Sequence, residues 1–222
     1  MAAYYQITGI AQNMLEIIDT VRFIHQKGWT PATSGNFSFR VEALPDVVFI
    51  SRSGVDKALF SEKDLIPIAF SGKPLENTVE QTSAETLLHL AIYEHTPNAW
   101  SVLHTHSKAA TVLSLLLGPE KGLKVHGFEI LKGLTGIKNH QTEIIIPIFP
   151  NTQYIPELAQ QFGDWLQNNP ATWGILIEGH GLYTWGNSIA AAKRHLEVFE
   201  FIFDCLLTLK IYGDSQNTTN AN

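Results

Sequence analysis

Apolar residues recur along the first thirty positions at the spacing of one helical face. Met14, Ile17, Ile18, Val21 and Ile24 share a side of a helix predicted over about 8 to 27, and Gly28 is a natural stop. The period then changes. Positions 37–41 and 47–51 predict two strands separated by a Pro-Asp turn, and 65–70 predicts a third that leads into Ser71-Gly72-Lys73-Pro74. Further helices are expected over 83–94, 107–117, 155–166 and 188–210. Core strands are expected at 100–103, 143–148 and 173–177, with an edge strand at 182–185. The stretch 126–133 reads as a turn or two of helix, and 30–35 as a small-residue loop. Short strands, some adjacent and some separated by helices, predict an α/β fold with a mixed or largely antiparallel sheet under helices. A single domain over 1–212 is expected, followed by a disordered polar tail at 213–222.

Composition narrows the function classes. The chain has 222 residues, 45% hydrophobic and 16% charged, enough for one sizeable core. No internal repeat, linker or G-x-G-x-x-G run occurs, which argues against a Rossmann dinucleotide domain. No apolar run reaches the ~18 residues of a membrane helix. The N-terminal sequence has no basic region followed by an apolar one, so a cytoplasmic location is expected. A net charge of −6 gives no general attraction for nucleic acid or anionic membrane. A phosphorylated substrate would then be held by local donors. Cys205 is the only cysteine, which excludes a disulfide framework and a cysteine zinc cage within the chain, and it reads as a small buried hydrophobe. Asn36-Phe37-Ser38 and Asn217-Thr218-Thr219 match the glycosylation acceptor pattern by chance.

The candidate chemistry sits where apolar runs end. Trp100-Ser101-Val102-Leu103 leads into His104-Thr105-His106, and residues two apart on a strand project to one face. Two imidazoles side by side suit a divalent ion such as zinc, copper, iron or nickel. Ile175-Leu176-Ile177-Glu178-Gly179-His180-Gly181 reads as a second buried strand ending in a histidine, with flanking glycines that permit a sharp turn and close approach of a ligand. Three such histidines would leave a coordination position open. His25, His89, His95 and His195 lie in helical patterns on polar or half-buried faces, His140 lies in a polar loop, and spacing does not place His126 at a site.

Three other segments suggest an anion site. The loop before and through Ser34-Gly35-Asn36 offers backbone N–H, hydroxyl and amide donors, and Ser51-Arg52-Ser53-Gly54-Val55-Asp56-Lys57 ends a strand in a Ser53-Gly54 turn with Lys57 beyond. Thr82 and Ser83 fall at a helix N-terminus, and Thr82-Ser83-Ala84-Glu85 matches a capping box, so Glu85 either caps the helix or turns toward a metal. On pattern alone the cap is favoured. Glu129, alone among Phe128, Ile130 and Leu131, is expected to be exposed.

These blocks, from Thr33-Ser34-Gly35-Asn36 through Ser53-Gly54, Thr82-Ser83-Ala84-Glu85 and His104-Thr105-His106 to Gly179-His180-Gly181, resemble the class II aldolase/adducin family over most of the chain. The resemblance implies a three-layer α/β/α fold around a mainly antiparallel sheet. It implies one zinc ion per subunit on His104, His106 and His180, a phosphorylated ketose as substrate, and a homotetramer with sites near subunit contacts. It places Ser34, Gly35, Asn36, Ser53, Gly54, Thr82 and Ser83 on the phosphate, with Lys57 assisting. In dehydratases of the family the glutamate matching Glu129 is the acid/base; in its sugar-phosphate aldolases it is the one matching Glu85. Ser51 to Lys57, His104 to Ala110 and Glu129 to Gly133 suggest the dehydratase branch. Aldol cleavage or epimerisation is the alternative, and a non-enzymatic module like the adducin head is a second.

Overall fold

The first apolar stripe forms helix α1 (Ile10–Gln26), whose buried side is Ile10, Met14, Ile17, Ile18, Val21 and Ile24. In this computed structural model, residues 9–75, 81–119 and 122–219 are described, with side chains as far as 212. Strands β1 (Asn36–Val41), β2 (Leu44–Ser51) and β3 (Leu65–Ala69) follow, then α2 (Thr86–His95), β4 (Ser101–Thr105) and α3 (Lys108–Leu117). The second half contains β5 (Leu123–Val125), β6 (Ile144–Ile146), β7 (Ile148–Phe149), α4 (Ile155–Asn168), β8 (Gly174–Ile177), β9 (Gly181–Gly186) and α5 (Ile189–Thr219).

Among the described residues, seven strands form one sheet in the order β3-β2-β1-β4-β9-β8-β7, and β5 and β6 pair as a separate ribbon. Within the large sheet only β7 and β8 run parallel. The two faces bury different sets. Phe37, Leu103 and Leu182 point into the cluster built with α1, α3 and α5, while Val102, Ile175 and Tyr183 point into the cluster built with α2 and α4. The period-two alternation of β4 and β9 thus serves both cores, and the three-layer expectation holds.

Several boundaries differ from the sequence expectation. The strand 182–185, expected at an edge, is β9 and lies inside the sheet between β4 and β8. A short strand after a tight turn looks like an edge locally, but β9 carries a fully buried Leu182, Tyr183 and Thr184 because partners cover it on both sides. The turn between β1 and β2 comes at Glu42-Ala43, and Pro45 and Asp46 lie inside β2. Strand β5 was hidden in its three residues, of which only Leu123 and Val125 are buried. The stretch 126–133 yields a 3-10 turn at Glu129–Gly133. Helix α5 continues past Lys210 through 213–219 of the segment expected to be a disordered tail, and 220–222 lie outside the described residues. A single internal Gly213 costs only ~1 kcal/mol relative to alanine, and no proline stops the ladder.

His195 of α5, expected on a half-buried face, is 2% exposed. Its Nδ1–H donates to the Trp185 carbonyl (2.7 Å), and Nε2 accepts from the Thr135 backbone N–H (3.0 Å) and faces the Thr135 hydroxyl (2.9 Å). Burial lowers its pKa to about 4; the Trp185 bond opposes this and Arg194 adds to it. An unfolded imidazole takes up a proton near pH 6.5, while this folded one waits until about 4. The unfolded state binds more protons in that window, so stability falls as pH drops through it, by up to ~3 kcal/mol. The melting temperature should therefore decline from pH 7 to 4, and less steeply in His195→Gln; equal slopes would remove His195 from the account.

Candidate metal centre and substrate cleft

Strand β4 is buried along its length and hydrogen-bonded on both sides, by β1 and by β9. Its last residues alternate. Thr105 turns toward α5, where its hydroxyl meets Glu200 at 3.3 Å, and His104 faces the α2 side, its ring stacked on Tyr183 at 3.9 Å and 10°. His106 lies one step beyond the strand, its backbone N–H held by the Trp29 carbonyl (2.8 Å). The β8–β9 turn carries His180 back to the same place because β9 pairs with β4 in the register His104↔Tyr183 and Thr105↔Leu182.

Close backbone approach makes this possible. A Cβ on Gly181 would sit 2.0 Å from the Thr105 carbonyl oxygen, so no larger residue fits there. The space that Gly181 leaves is taken by β4 and not by a ligand. Gly35 has φ +79°, and a Cβ there would lie 2.7 Å from the His104 carbonyl oxygen.

The three Nε2 atoms converge at 2.8 Å (His106–His104), 3.1 Å (His180–His106) and 3.3 Å (His104–His180). His104 Nδ1–H donates to the Leu182 carbonyl (3.0 Å), which leaves its Nε2 bare and aimed at the other two. Burial lowers the His104 pKa well below its ordinary value and that of His106 to about 4, so these imidazoles are neutral at physiological pH. Lone pairs in such proximity repel unless a cation lies between them. A tetrahedral centre with ~2.0–2.1 Å bonds sets its ligands ~3.3 Å apart, so the donor set fits a transition-metal ion.

Glu85 completes the cluster. Its oxygens lie 3.3 Å from His104 Nε2 and 3.0 Å from His180 Nε2, and the four donor atoms are within 4.8 Å of one another. The expected capping box does not form. Helix α2 begins at Thr86, the Glu85 side chain makes no cap bond, and Thr82 instead bridges to Arg52 beside β2. Ser83 does the local work: its hydroxyl accepts the Glu85 N–H, and its carbonyl takes the Thr86 N–H and hydroxyl. The carboxylate accepts from Asn36 Nδ2 (2.7 Å) and from the Tyr183 hydroxyl (2.9 Å). Burial alone would raise its pKa, but electrostatic interaction with His104 and His180 and the hydrogen bond from Asn36 together hold it well below the carboxylate range. Its place at a helix N-terminus favours the same ionised state.

A cleft of about 190 Å³ opens from Glu85 and His106 between Ser34-Gly35-Asn36, Ser53-Gly54 and Ser83. Six of the residues expected on a phosphate therefore meet in one place. Ser34 Oγ is buried with no partner among the described residues. Lys57, expected to assist the phosphate, does not line the cleft. Its ammonium is buried and donates to the Thr33 and Val55 carbonyls (2.8 and 3.0 Å), so it clamps the two loops that wall the cleft. Burial lowers its pKa to about 8 against the pull of Asp64 and Asp56. Arg52, not among the residues expected on the phosphate, lines the cleft and is anchored on Asp64 at 2.8–2.9 Å. Asn36 is buried with its amide engaged, which rules it out as a glycan acceptor.

Glu129 lies elsewhere. It is exposed on its 3-10 turn, as its local pattern predicts, paired with Lys132 and 3.4 Å from His140. Lys132 holds its carboxyl below the ordinary range, and the four-residue cluster does not include it. Two other buried groups were invisible in the sequence. Glu200 carries no flanking motif, yet burial raises its pKa to about 7, opposed by hydrogen bonds from Ser107 and Thr105. His89, expected on a half-buried face, is 0% exposed beneath Asn36.

A family profile described as Class II Aldolase and Adducin N-terminal domain matches residues 15–207. The chain is 41% identical over 203 residues to a methylthioribulose-1-phosphate dehydratase of Marinobacter nauticus, covering 91% of this chain and 96% of the relative. It is 44% identical over 188 residues to one of a Picosynechococcus species, covering 84% and 87%. In fold it is similar to the crystal structure of L-fuculose-1-phosphate aldolase from Thermus thermophilus, with a TM-score of 0.72 at 23% identity over 92% of this chain and 97% of that one.

Proposed function

The chain belongs to the class II aldolase and adducin family, and we propose that it is a zinc-dependent lyase that dehydrates 5-methylthioribulose 1-phosphate to 5-methylthio-2,3-dioxopentyl 1-phosphate in methionine salvage. The observation that carries this reading is one cleft with hydroxyl, backbone and Arg52 donors along its walls and His106 and Glu85 at its head. A phosphate held by the donors would direct the carbonyl end of a short ketose toward the histidines.

His104, His106 and His180 would hold the metal, and zinc there would supply Lewis acidity toward the C2 carbonyl, which would acidify the C3 proton. The rest belongs to the side chains. Ser34, Ser53, Ser83, the loop N–H groups and Arg52 grip the phosphate, and Lys57 keeps their two loops together. Glu85, ionised and oriented by Asn36 and Tyr183, is suited to take the C3 proton. Departure of the C4 hydroxyl needs a proton, and Glu129 is proposed to deliver it or to move protons between C3 and C4, away from the Lys132 contact that keeps its carboxyl ionised in the single chain. In a single chain Glu129 stands outside the cluster, so we assign this role to the Glu129 of a neighbouring subunit, which goes with assembly as a homotetramer.

A second reading is retro-aldol cleavage or epimerisation of a sugar phosphate, favoured by the position of Glu85 against His104 and His180. Purified protein of measured metal content, incubated separately with methylthioribulose 1-phosphate, fuculose 1-phosphate and ribulose 5-phosphate, separates the two. We expect loss of one water from the methylthio sugar alone. Cleavage or epimerisation of the other sugars without dehydration would favour the second reading, and protein with neither metal nor turnover would leave only a binding module.

A further inference from the structure

Beneath Glu85 and Asn36 runs a chain of buried polar side chains to which the reaction described above gives no role. Asn36 Nδ2 donates to Glu85 (2.7 Å), and Asn36 Oδ1 faces His89 Nε2 (2.5 Å). His89 Nδ1 meets the Ser38 hydroxyl at 2.7 Å, and Ser38 meets the Tyr93 hydroxyl at 2.7 Å. Ser38 and His89 are 0% exposed and Tyr93 2%.

We propose that His89 is a positioning residue for the reaction: through Asn36 it fixes the direction from which the Glu85 carboxylate meets the three imidazoles. The proposal rests on the reading that Glu85 acts in the chemistry.

The donor directions follow one from another. An ionised carboxylate only accepts, so Asn36 must present its NH₂ to Glu85 and its carbonyl oxygen to His89. That oxygen only accepts, so the His89 proton sits on Nε2. Nδ1 is then bare and accepts from Ser38, whose oxygen is left to accept from Tyr93. Burial lowers the His89 pKa to about 3, against the pull of Glu85, so the ring carries one proton and has one donor to give. The carboxylate and the His89 Nε2–H hold the two ends of one amide; without that donor the buried Asn36 oxygen has no partner and only the Glu85 side still constrains the group. A flipped amide would set oxygen against oxygen and turn the carboxylate away from His104 and His180. An ordinary buried histidine would need only to be satisfied; here the satisfied arrangement has a single direction, and it ends on the reacting group.

Asparagine and glutamine at position 89 separate these roles. The Asn amide can reach where Nδ1 sits and keep Ser38, whereas the Gln amide can reach where Nε2 sits and keep the donor to Asn36. In metal-loaded enzyme we expect His89→Asn to lose ~10–10²-fold in kcat, the usual cost of removing a residue that orients an active-site group, with little change in KM. His89→Gln should retain most of kcat, although both lose one buried contact and similar thermal stability. Equal kcat values in the two variants would overturn the proposal. Nitrogen-15 imidazole shifts of the wild-type protein, with and without metal, give a check that no variant's folding can compromise: we expect a proton on Nε2 and a bare Nδ1, and the opposite tautomer overturns the proposal. Glu85→Gln serves as the control. If it turns over normally, the role of Glu85 is wrong and the proposal falls with it. If it is inactive while both His89 variants match wild type, only the positioning role fails.

Discussion

Replacing His106 with alanine should remove the bound metal and reduce turnover by more than ~10²-fold, since even residues that merely orient a metal ligand cost 10–100-fold when lost. His106 is the informative member of the three. His104 is fully buried against Tyr183, and its loss would disturb the core; His106 is half-buried, and its fold-determining contact is a backbone N–H on Trp29 that alanine keeps. Its Nε2 lies 2.8 Å from that of His104 and 3.1 Å from that of His180, so alanine takes away one of the three converging imidazole donors. Elemental analysis, turnover and melting of the metal-free protein are read together. One metal ion per chain in the variant would show that the ligand assignment is wrong.

Glu129→Gln should keep the metal and slow turnover by ~10²–10⁴-fold, the range for losing general acid/base assistance. Glutamine is nearly isosteric, and an exposed replacement shifts stability by at most ~0.5 kcal/mol, so a rate loss of that size cannot come from unfolding. Since Glu129 lies outside the cluster of its own chain, mixed oligomers of Glu129→Gln and His106→Ala chains should regain part of the activity that neither has alone. A near-wild-type rate in Glu129→Gln would remove it from the reaction and leave Glu85 as the acid/base, the arrangement of the aldol reading. Activity lost in Glu129→Gln but never regained by mixing would mean that Glu129 serves its own chain after a movement of its turn.

Much of the site was legible because its parts are local. His104-Thr105-His106 at a strand end needs only the two-residue period of a strand to aim both rings one way. The Ser34-Gly35-Asn36 and Ser53-Gly54 loops announce their donors by composition, and both line the cleft. Glu85 and Lys57 were misleading for the same reason in reverse. A local rule assigned Glu85 to a helix cap, but the pull of two imidazoles and the bonds from Asn36 and Tyr183 outweigh a cap worth ~1 kcal/mol. A lysine after a Ser-Gly turn looks like an anion ligand, and only the packing reveals that two carbonyls have taken its ammonium.

The sequence by itself determined the α/β layering, the paired histidines of β4 and the donors of the two loops, since each follows from periodicity or from residue type within a few positions. Pattern suggested His180 as a third member, but the tertiary structure decided how it reaches those histidines and that Glu85 joins them. Their meeting depends on β9 lying between β4 and β8 and on the start of α2 packing over Asn36 and Tyr183. Strand order and helix placement are set by the burial of both sheet faces at once, a balance over the whole chain that no short window of residues contains.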